Sequence, residues 1–302
     1  MHIFVTGASG WIGSATVGRL VEAGHHVVGL ARSEDAAATV AACGAEPVRG
    51  SLDDLDILRT QAARSDGVIH LAFRHDIAFT GDFQGAADTD RQAIDTFGDT
   101  LEGSGRPLVV ASGTLGLAPG RVGTERDRPD PSSHPRIANA YAAIALADRG
   151  VRATVVRFAP TVHGDGDHGF IATLVDIARQ SRLSAYLGNG ANRWPAVHRL
   201  DAADLVCRAV EHAPARSILH ATDEEGIPIR DIADAIGRQL GVAVASLPAA
   251  DAAQHFGFLS GFIGVDAPAS STLTRELLGW RPSQPGLLAD LDAGLYTPAS
   301  AA

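Results

Sequence analysis

Short apolar runs alternate with segments of helical period through the first half of the chain. The alternation is typical of a parallel sheet covered by helices on both faces. The apolar runs predict strands at His2–Thr6, His26–Leu30, Glu46–Arg49, Gly67–Phe73, Pro107–Ser112 and Ala153–Phe158. The segments between them, several stopped by glycine, predict helices at Trp11–Ala23, Ser33–Cys43, Asp53–Ala63, Asp88–Glu102 and Pro135–Arg149. We therefore predict an α/β fold with a doubly wound parallel sheet.

The pattern changes after Pro160, where glycine-rich loops separate fewer regular elements. This part of the chain predicts helices at Phe170–Arg182, Ile229–Leu240 and Leu273–Leu278, and a short strand at Ser217–Ala221. We assign residues 1–160 to the main domain and expect the chain to rejoin it over about 197–221. Residues 161–196 and 222–302 are assigned to a smaller C-terminal lobe.

The amino-acid composition indicates which kinds of molecule this protein is expected to bind. Of the 302 residues, 45% are hydrophobic and 20% are charged, so the chain can bury a large core. The formal net charge of −10 argues against binding to nucleic acid or to an anionic membrane. We therefore expect a small-molecule substrate.

The cysteines and the N-terminal residues indicate the cellular compartment in which the protein is expected. Cys43 and Cys207 lie far apart without C-x-x-C spacing, which indicates neither a disulfide framework nor a zinc site. The first residues lack the basic start of a signal peptide, and no apolar run approaches the roughly 18 residues of a membrane span. The sequence thus predicts a cytoplasmic protein without a metal.

A glycine motif follows the first predicted strand. The strand leads into TGASGWIG and then into a helix. Glycines at positions 7, 10 and 13 would let the backbone turn, let a pyrophosphate approach the helix N-terminus, and let helix and strand pack closely. This context predicts dinucleotide binding by the turn, with contacts from Gly7, Ser9, Gly10, Trp11, Ile12 and Gly13.

The Gly-x-x-Gly-x-x-Gly spacing, with VIHLAF at Val68–Phe73 and RFAPTVHG at Arg157–Gly164, resembles the short-chain dehydrogenase/reductase superfamily. The match is to its extended or atypical branch, the NAD-dependent epimerase/dehydratase-like proteins. The resemblance spans nearly the whole chain and is strongest over the first 160 residues. It implies a Rossmann domain for the cofactor, a substrate-binding C-terminal lobe, and a homodimer as one assembly to consider. The family's further cofactor contacts fall on Ser51, Leu52, Leu71, Ala72 and Pro160.

Two residues after the second strand bear on the choice of cofactor. An acidic residue at this place would hold the ribose hydroxyls of NAD, whereas arginine accommodates the 2′-phosphate of NADP. The chain has Arg32 followed by Ser33 at a helix start. The sequence favours NADP(H) over NAD(H), with a solvated loop arginine as the alternative.

The family's catalytic residues are only partly present. In the superfamily, a tyrosine whose pKa is lowered by a lysine four residues on exchanges a proton with the substrate, and a serine or threonine orients it. Ser112, with Thr114, fits the Ser/Thr position at the end of the fifth strand. Registered on Ser112, the tyrosine position holds Arg136 and the lysine position Ala140. Tyr141 projects about 140° away from Arg136 on a helix, so it is a weaker candidate acid.

Other polar residues could serve in place of the missing pair. Arg136 could bind a carboxylate or phosphate of the substrate, or lie in solvent. His163 replaces the tyrosine of the family's Val-Tyr-Gly-Pro segment and could donate a proton, as could Tyr141 or water. Arg193 and His198, in NRWPAVHRLDAADL, are candidate substrate-pocket residues.

The favoured interpretation is an NADP(H)-dependent oxidoreductase acting on a carbonyl, imine or activated alkene of a small organic molecule. Two alternatives stay open. One is a nucleotide-sugar epimerase or dehydratase, which would need the missing Tyr-Lys pair. The other is a redox sensor that binds NADP without turnover.

Overall fold

A parallel sheet of seven strands forms the centre of the molecule. The structure is a computed structural model and describes residues 1–78 and 80–296. The strands of the described residues are β1 (His2–Thr6), β2 (His26–Ala31), β3 (Glu46–Arg49), β4 (Gly67–His70), β5 (Pro107–Gly113), β6 (Arg152–Phe158), β7 (Thr161–His163), β8 (Leu183–Leu187), β9 (Arg193–His198), β10 (Ser217–Ala221), β11 (Glu224–Pro228) and β12 (Ala243–Leu247). The large sheet has the order β10-β6-β5-β4-β1-β2-β3, and all its strand pairs are parallel.

Helices cover both faces of this sheet, which confirms the predicted doubly wound α/β fold. Short 3₁₀ turns supplement them at 131–133, 146–149, 249–251 and 257–261. The helices are α1 (Trp11–Glu22), α2 (Glu34–Ala42), α3 (Leu55–Arg64), α4 (His75–Ala78), α5 (Phe83–Leu101), α6 (Pro135–Ala145), α7 (Phe170–Ser181), α8 (Arg199–His212), α9 (Ile229–Leu240), α10 (Ala252–Phe256), α11 (Thr272–Leu278) and α12 (Leu287–Asp292).

Alternate residues of each central strand pack into two separate hydrophobic cores, one on each face of the sheet. On β1, Ile3 and Val5 face one way and pack in a cluster with residues of α8 and of α1, including Leu20 of α1. Phe4 faces the other way and packs with Ile94 of α5 and with residues of α3 and α6. Because both faces are covered, the central strands carry continuous apolar runs such as Ile3–Val5 and Leu108–Val110 instead of alternating apolar and polar residues.

The six strands predicted for the first 160 residues are all present, and four of them differ from the prediction at one end. β4 stops at His70 rather than Phe73, because its partner β1 ends at Thr6, which is paired with His70. α5 begins at Phe83 rather than at residue 88, since the Asp82 side chain caps it by accepting a hydrogen bond from the backbone N–H of residue 85 at 2.9 Å.

The second half contains elements that periodicity did not predict. β11, β9 and β7 form a three-stranded sheet, and β12 pairs with β8. A third apolar cluster fills this region around Trp194, Ile232 and Phe256. α8 packs along α1, and β10 extends the large sheet beside β6, so the chain returns to the central layers before its last helices. No helix in the described part of the chain is both long and apolar enough to cross a membrane.

Candidate active site

The glycine turn between β1 and α1 is shaped so that side chains cannot replace its hydrogens. Gly7 has φ +70°, and a Cβ there would lie 2.7 Å from the backbone nitrogen of Ala72. A Cβ on Gly13 would lie 1.9 Å from the carbonyl oxygen of Gly7. The backbone N–H of Gly10 donates to the same carbonyl at 2.9 Å. The turn therefore packs backbone against backbone, as a close-fitting phosphate cradle requires.

The N-terminus of α1 suits an anion. Its N-cap, Gly10, offers no side chain to satisfy the first N–H groups, and the first turn carries no acidic residue. Unpaired N–H groups and the positive end of a 12-residue helix thus face the turn. Ser9, Trp11 and Ile12 keep part of their surface exposed there. These residues fit the pyrophosphate of a dinucleotide.

A residue from α8 holds this turn in place. The Arg199 guanidinium donates from Nε to the Trp11 carbonyl at 2.6 Å and from Nη2 to Ser14 Oγ at 2.7 Å, and its Cζ lies 4.2 Å from the Trp11 ring centroid. The Trp11 indole N–H donates to the Val162 carbonyl at 2.7 Å. Sequence reasoning missed Arg199, because nothing local shows that α8 packs along α1.

Arg32 and Ser33 follow β2, with the carboxylates of Asp76 and Glu34 paired to the arginines of this corner. The Arg32 side chain is 62% exposed, and its Nη1 lies 3.3 Å from Asp76 Oδ2. Ser33 caps α2, since its hydroxyl accepts from the backbone N–H of Ala36 at 3.1 Å. The Arg49 guanidinium donates to the Arg32 carbonyl at 3.3 Å, so two guanidinium groups lie near this corner.

The remaining predicted cofactor residues lie around the same edge of the sheet. Ser51 donates its hydroxyl to Asp54 Oδ2 at 3.0 Å, and Leu52 is 5% exposed and belongs to a core cluster. The backbone N–H groups of Leu71 and Ala72 donate to the carbonyl and hydroxyl of Thr6, at 3.2 and 3.4 Å. Pro160, partly exposed, follows β6.

A buried polar network lies beneath the end of β4. The His70 ring contacts Thr6 Oγ1 at 2.6 Å through Nδ1 and Asp90 Oδ1 at 3.1 Å through Nε2. Asn139 of α6 donates to the other Asp90 oxygen at 2.7 Å. Burial opposes the charge on Asp90, but the hydrogen bond and charge of His70, with Arg136 and Asn139, hold its pKa below the ordinary value. Asp90 therefore ties α5 to α6 as an ion.

Ser112 and Thr114 lie at the end of β5 and are both buried. Ser112 pairs in register with Arg157 of β6 and lines a small, mostly apolar cavity that Ile137 and Tyr141 of α6 also line. The backbone N–H and hydroxyl of Thr114 both face the Phe158 carbonyl, at 3.0 and 3.4 Å. Ser112 is thus the residue of the pair that faces a cavity.

Arg136 and Tyr141 leave α6 in different directions. The Arg136 Cζ lies 4.2 Å from the centroid of the Phe73 ring, and its Nη2 is 3.4 Å from the Ala111 carbonyl. Burial lowers the pKa of Arg136, against the opposing charge of Asp90. The Tyr141 hydroxyl donates to the Pro129 carbonyl at 3.0 Å.

His163 and His198 meet beside Asp290 of α12. His163 is 1% exposed, with Nδ1 2.6 Å from Asp290 Oδ2 and no hydrogen-bond partner at Nε2 in the described structure. Its ring centroid is 5.4 Å from that of His198, whose Nδ1 accepts from the Leu200 N–H at 3.2 Å. Burial and the neighbouring His163 charge lower the pKa of His198. These histidines connect β7, β9 and α12 within the protein.

Arg193 and Asp167 form hydrogen bonds with other residues of the C-terminal part. The Arg193 guanidinium donates to both carboxylate oxygens of Asp266, from Nε at 3.0 Å and from Nη2 at 2.9 Å. Asp167 accepts from the Gly169 N–H at 2.7 Å and from the Tyr296 hydroxyl at 2.9 Å. Over residues 1–78 and 80–296, no group of three or more His, Cys, Asp or Glu side chains is arranged to hold a metal ion.

The fold therefore brings the glycine turn, the end of β4, Ser112 and Arg136 to one edge of the sheet. It leaves Arg193 and His163 bound to partners in the C-terminal part. The sequence missed Asp90 and Phe73, although a buried acid within α5 and an aromatic residue following HLA were both visible in the chain. Only their contacts with α6 reveal their relevance.

Comparison with known proteins agrees with this geometry. The profile of the NAD dependent epimerase/dehydratase family matches residues 3–219. An uncharacterized protein of Schizosaccharomyces pombe is 48% identical over 297 residues, covering 98% of this chain and 100% of its own. A 4-hydroxy-2-methyl-3-oxo-4-farnesyl-3,4-dihydroquinoline-1-oxide ketoreductase of Stigmatella aurantiaca is 27% identical over 274 residues, covering 85% and 80%.

Among solved structures, a dTDP-glucose 4,6-dehydratase double mutant of Streptomyces venezuelae, with NAD bound, has a TM-score of 0.78. It is 21% identical, and the alignment covers 98% of this chain and 96% of that one. At this identity, the likeness shows the fold.

Proposed function

Because the chain belongs to the NAD dependent epimerase/dehydratase family, we propose that it is an NADP(H)-dependent oxidoreductase. Its substrate is a small organic molecule with a carbonyl, imine or activated alkene. One observation carries the proposal: the glycine cradle and Ser112 are kept, while the positions for the family's tyrosine and lysine hold Arg136 and Ala140. A protein so built retains hydride transfer and loses the usual proton donor.

Different residues of the chain have different roles in the proposed hydride transfer. A nicotinamide cofactor, when bound, would supply or accept the hydride. The glycine turn and the first N–H groups of α1 hold the pyrophosphate, and Arg199 keeps that turn rigid through Trp11 and Ser14. The Ser112 hydroxyl orients the reacting oxygen or nitrogen of the substrate. Holding donor and acceptor in line is itself a large catalytic effect.

Water is the proposed proton donor for reduction. The hydride would add to the substrate carbon, and a proton from water would complete the new O–H, N–H or C–H bond, leaving hydroxide that takes up a proton from the bulk solvent. His163 is enclosed and bonded to Asp290, and the Tyr141 hydroxyl is engaged with the Pro129 carbonyl. Neither contact favours these two side chains as the donor over water.

Activity is tested by NADPH oxidation against a panel of ketones, imines and enones. With a good substrate, we expect Ser112→Ala to lower kcat on the order of 100-fold, because one hydrogen bond in the transition state is lost. The NADPH dissociation constant should stay within about twofold. Ser181→Ala is the control, since that exposed hydroxyl bonds only backbone carbonyls at the end of α7. An unchanged kcat in Ser112→Ala would make Ser112 structural.

The NADP preference is supported by Arg32 at the end of β2, with Arg49 beside it. Arg32 is mostly exposed, so we expect the low end of a charge-assisted contact, about tenfold in affinity. Arg32→Ala should weaken NADPH binding by that factor and leave NADH binding unchanged. Arg59→Ala, which removes an exposed arginine of α3 paired with Asp56, is the matched control. Equal wild-type dissociation constants for the two cofactors would contradict the preference.

The two alternatives give different results in the same assays. A nucleotide-sugar epimerase or dehydratase shows no net NADPH consumption and converts a sugar nucleotide instead. A sensor binds NADPH and turns over nothing. The Stigmatella aurantiaca relative is named as a ketoreductase, which supports the oxidoreductase over both.

A further inference from the structure

A group of aromatic rings surrounds the N-terminal turn of α6. We define the Arg136 cluster as Arg136 with Phe73, His75, Phe83 and His134. The ring centroids of Phe73 and His75 are 5.1 Å apart, those of Phe73 and Phe83 5.6 Å, and those of Phe83 and His134 4.7 Å. The guanidinium lies on the Phe73 ring, so the cluster combines one cation with flat apolar surfaces.

The Arg136 guanidinium is incompletely partnered. Its Nε is buried and has no hydrogen-bond partner among the described residues, and the contact of Nη2 with the Ala111 carbonyl is long, at 3.4 Å. Asp90 acts on the Arg136 charge without direct contact: among the described residues no ion pair joins the two side chains, and the Asp90 oxygens bond His70 and Asn139. A partly buried guanidinium without a paired anion is costly, so the site is suited to an anion that arrives with a ligand.

The charge of the cluster comes from Arg136 alone. Burial, together with the Arg136 charge, lowers the pKa of His75 to about 4. The same two causes lower the pKa of His134, whose Nδ1 accepts from the Arg136 backbone N–H at 3.3 Å. At neutral pH both imidazoles are therefore largely uncharged. The positive end of the 11-residue α6 adds to the guanidinium charge.

We propose that Arg136 binds a carboxylate, so that the substrate of the reaction proposed above is a planar organic acid. A guanidinium offers parallel N–H donors that match the two oxygens of a carboxylate. Its contact with the backbone carbonyl of Ala111, the residue before Ser112, places the guanidinium next to the end of β5, the strand that carries Ser112. One cation with Asp90 nearby balances a monoanion better than a phosphate dianion, and the flanking rings suit a flat apolar body.

The test compares benzoate with benzamide, which has nearly the same shape and no charge. Each is titrated calorimetrically into the full-length protein saturated with NADP⁺. We expect wild type to bind benzoate at least tenfold more tightly than benzamide. Arg136→Met should weaken benzoate binding by about 10- to 100-fold and leave benzamide within about twofold. Arg91→Met, an exposed arginine of α5 paired with Asp95, is the control and should change neither affinity.

Several outcomes overturn the proposal. Benzoate binding no tighter than benzamide in wild type contradicts it without any variant. Equal losses for both probes in Arg136→Met would indicate packing, and a matching loss of NADP⁺ affinity would assign Arg136 to the cofactor. Arg136→Lys, which keeps the charge and loses the paired donors, should give an intermediate benzoate affinity if Arg136→Met does not fold. Because no titration requires turnover, selective benzoate binding with no NADPH oxidation would contradict the proposed function alone.

Discussion

Adding one methyl group to α1 should have opposite effects at two glycines of the same helix. At Gly13, the new Cβ would lie 1.9 Å from the Gly7 carbonyl oxygen and 2.8 Å from the Gly7 carbonyl carbon. At Gly18, the new Cβ would meet nothing within 4 Å. The chemistry and the helix are identical, so the difference isolates the close approach of α1 to the glycine turn.

The magnitudes follow from these distances. Glycine in a helix interior is about 1 kcal/mol less favourable than alanine, so Gly18→Ala should stabilise the protein by about 0.5–1 kcal/mol. At Gly13 this gain is outweighed, because the contact is more than about 1 Å shorter than van der Waals distance. Both atoms in conflict belong to backbone, and overpacking of this kind costs about 1–3 kcal/mol or more. Gly13→Ala should therefore be net destabilised.

Urea unfolding without cofactor measures the unfolding free energy of each variant, and a fluorescence titration with NADPH measures how tightly the glycine turn binds the cofactor. Relief of the Gly13 clash must move the Gly7 turn, so we expect NADPH affinity to fall at least tenfold in Gly13→Ala and to stay unchanged in Gly18→Ala. The reasoning is refuted if Gly13→Ala is as stable as Gly18→Ala, or if both variants bind NADPH like wild type.

Three further results are expected. Because the pKa of Asp90 is lowered in the folded protein, its charge stabilises the fold above pH about 4, and this stability is lost on acidification. In urea titrations, the unfolding free energy of wild type should therefore exceed that of Asp90→Asn by less at pH 3 than at pH 5. A larger excess at pH 3 would contradict this expectation. Tyr141→Phe loses only the hydrogen bond to the Pro129 carbonyl, about 0.5–1.5 kcal/mol of stability, and should keep its turnover; abolished turnover with intact NADPH binding and Tm would make Tyr141 the acid. Burial raises the pKa of Cys207 to about 12, so iodoacetamide at pH 8 should modify only the partly exposed Cys43 of native protein, and a doubly labelled mass would show the opposite.

Local pattern was enough to recover the first half of the fold. The strands of the large sheet up to β6 follow from apolar runs, and the helices between them, apart from α4 and the start of α5, follow from helical period and glycine stops, since each is decided within a few residues of chain. The glycine spacing and the Arg136 register were readable for the same reason. In the second half, strands of mixed composition such as β8 and β12 (LSAYL and AVASL) carry no clear period, so their pairing was not predictable.

The sequence by itself determined the cradle, the position of Ser112, and the absence of the Tyr-Lys pair, because these depend on spacing along one strand, turn or helix. Only the tertiary structure decided which polar groups have partners. Arg199 reaches a turn 188 residues away, and His163 is bonded to Asp290 across 127 residues through Nδ1 while its Nε2 has no partner in the part of the chain that the structure describes. The buried Nε of Arg136 is likewise left without a partner among the described residues. Such contacts depend on how helices pack across the sheet, and the spacing of residues along the chain does not encode that packing.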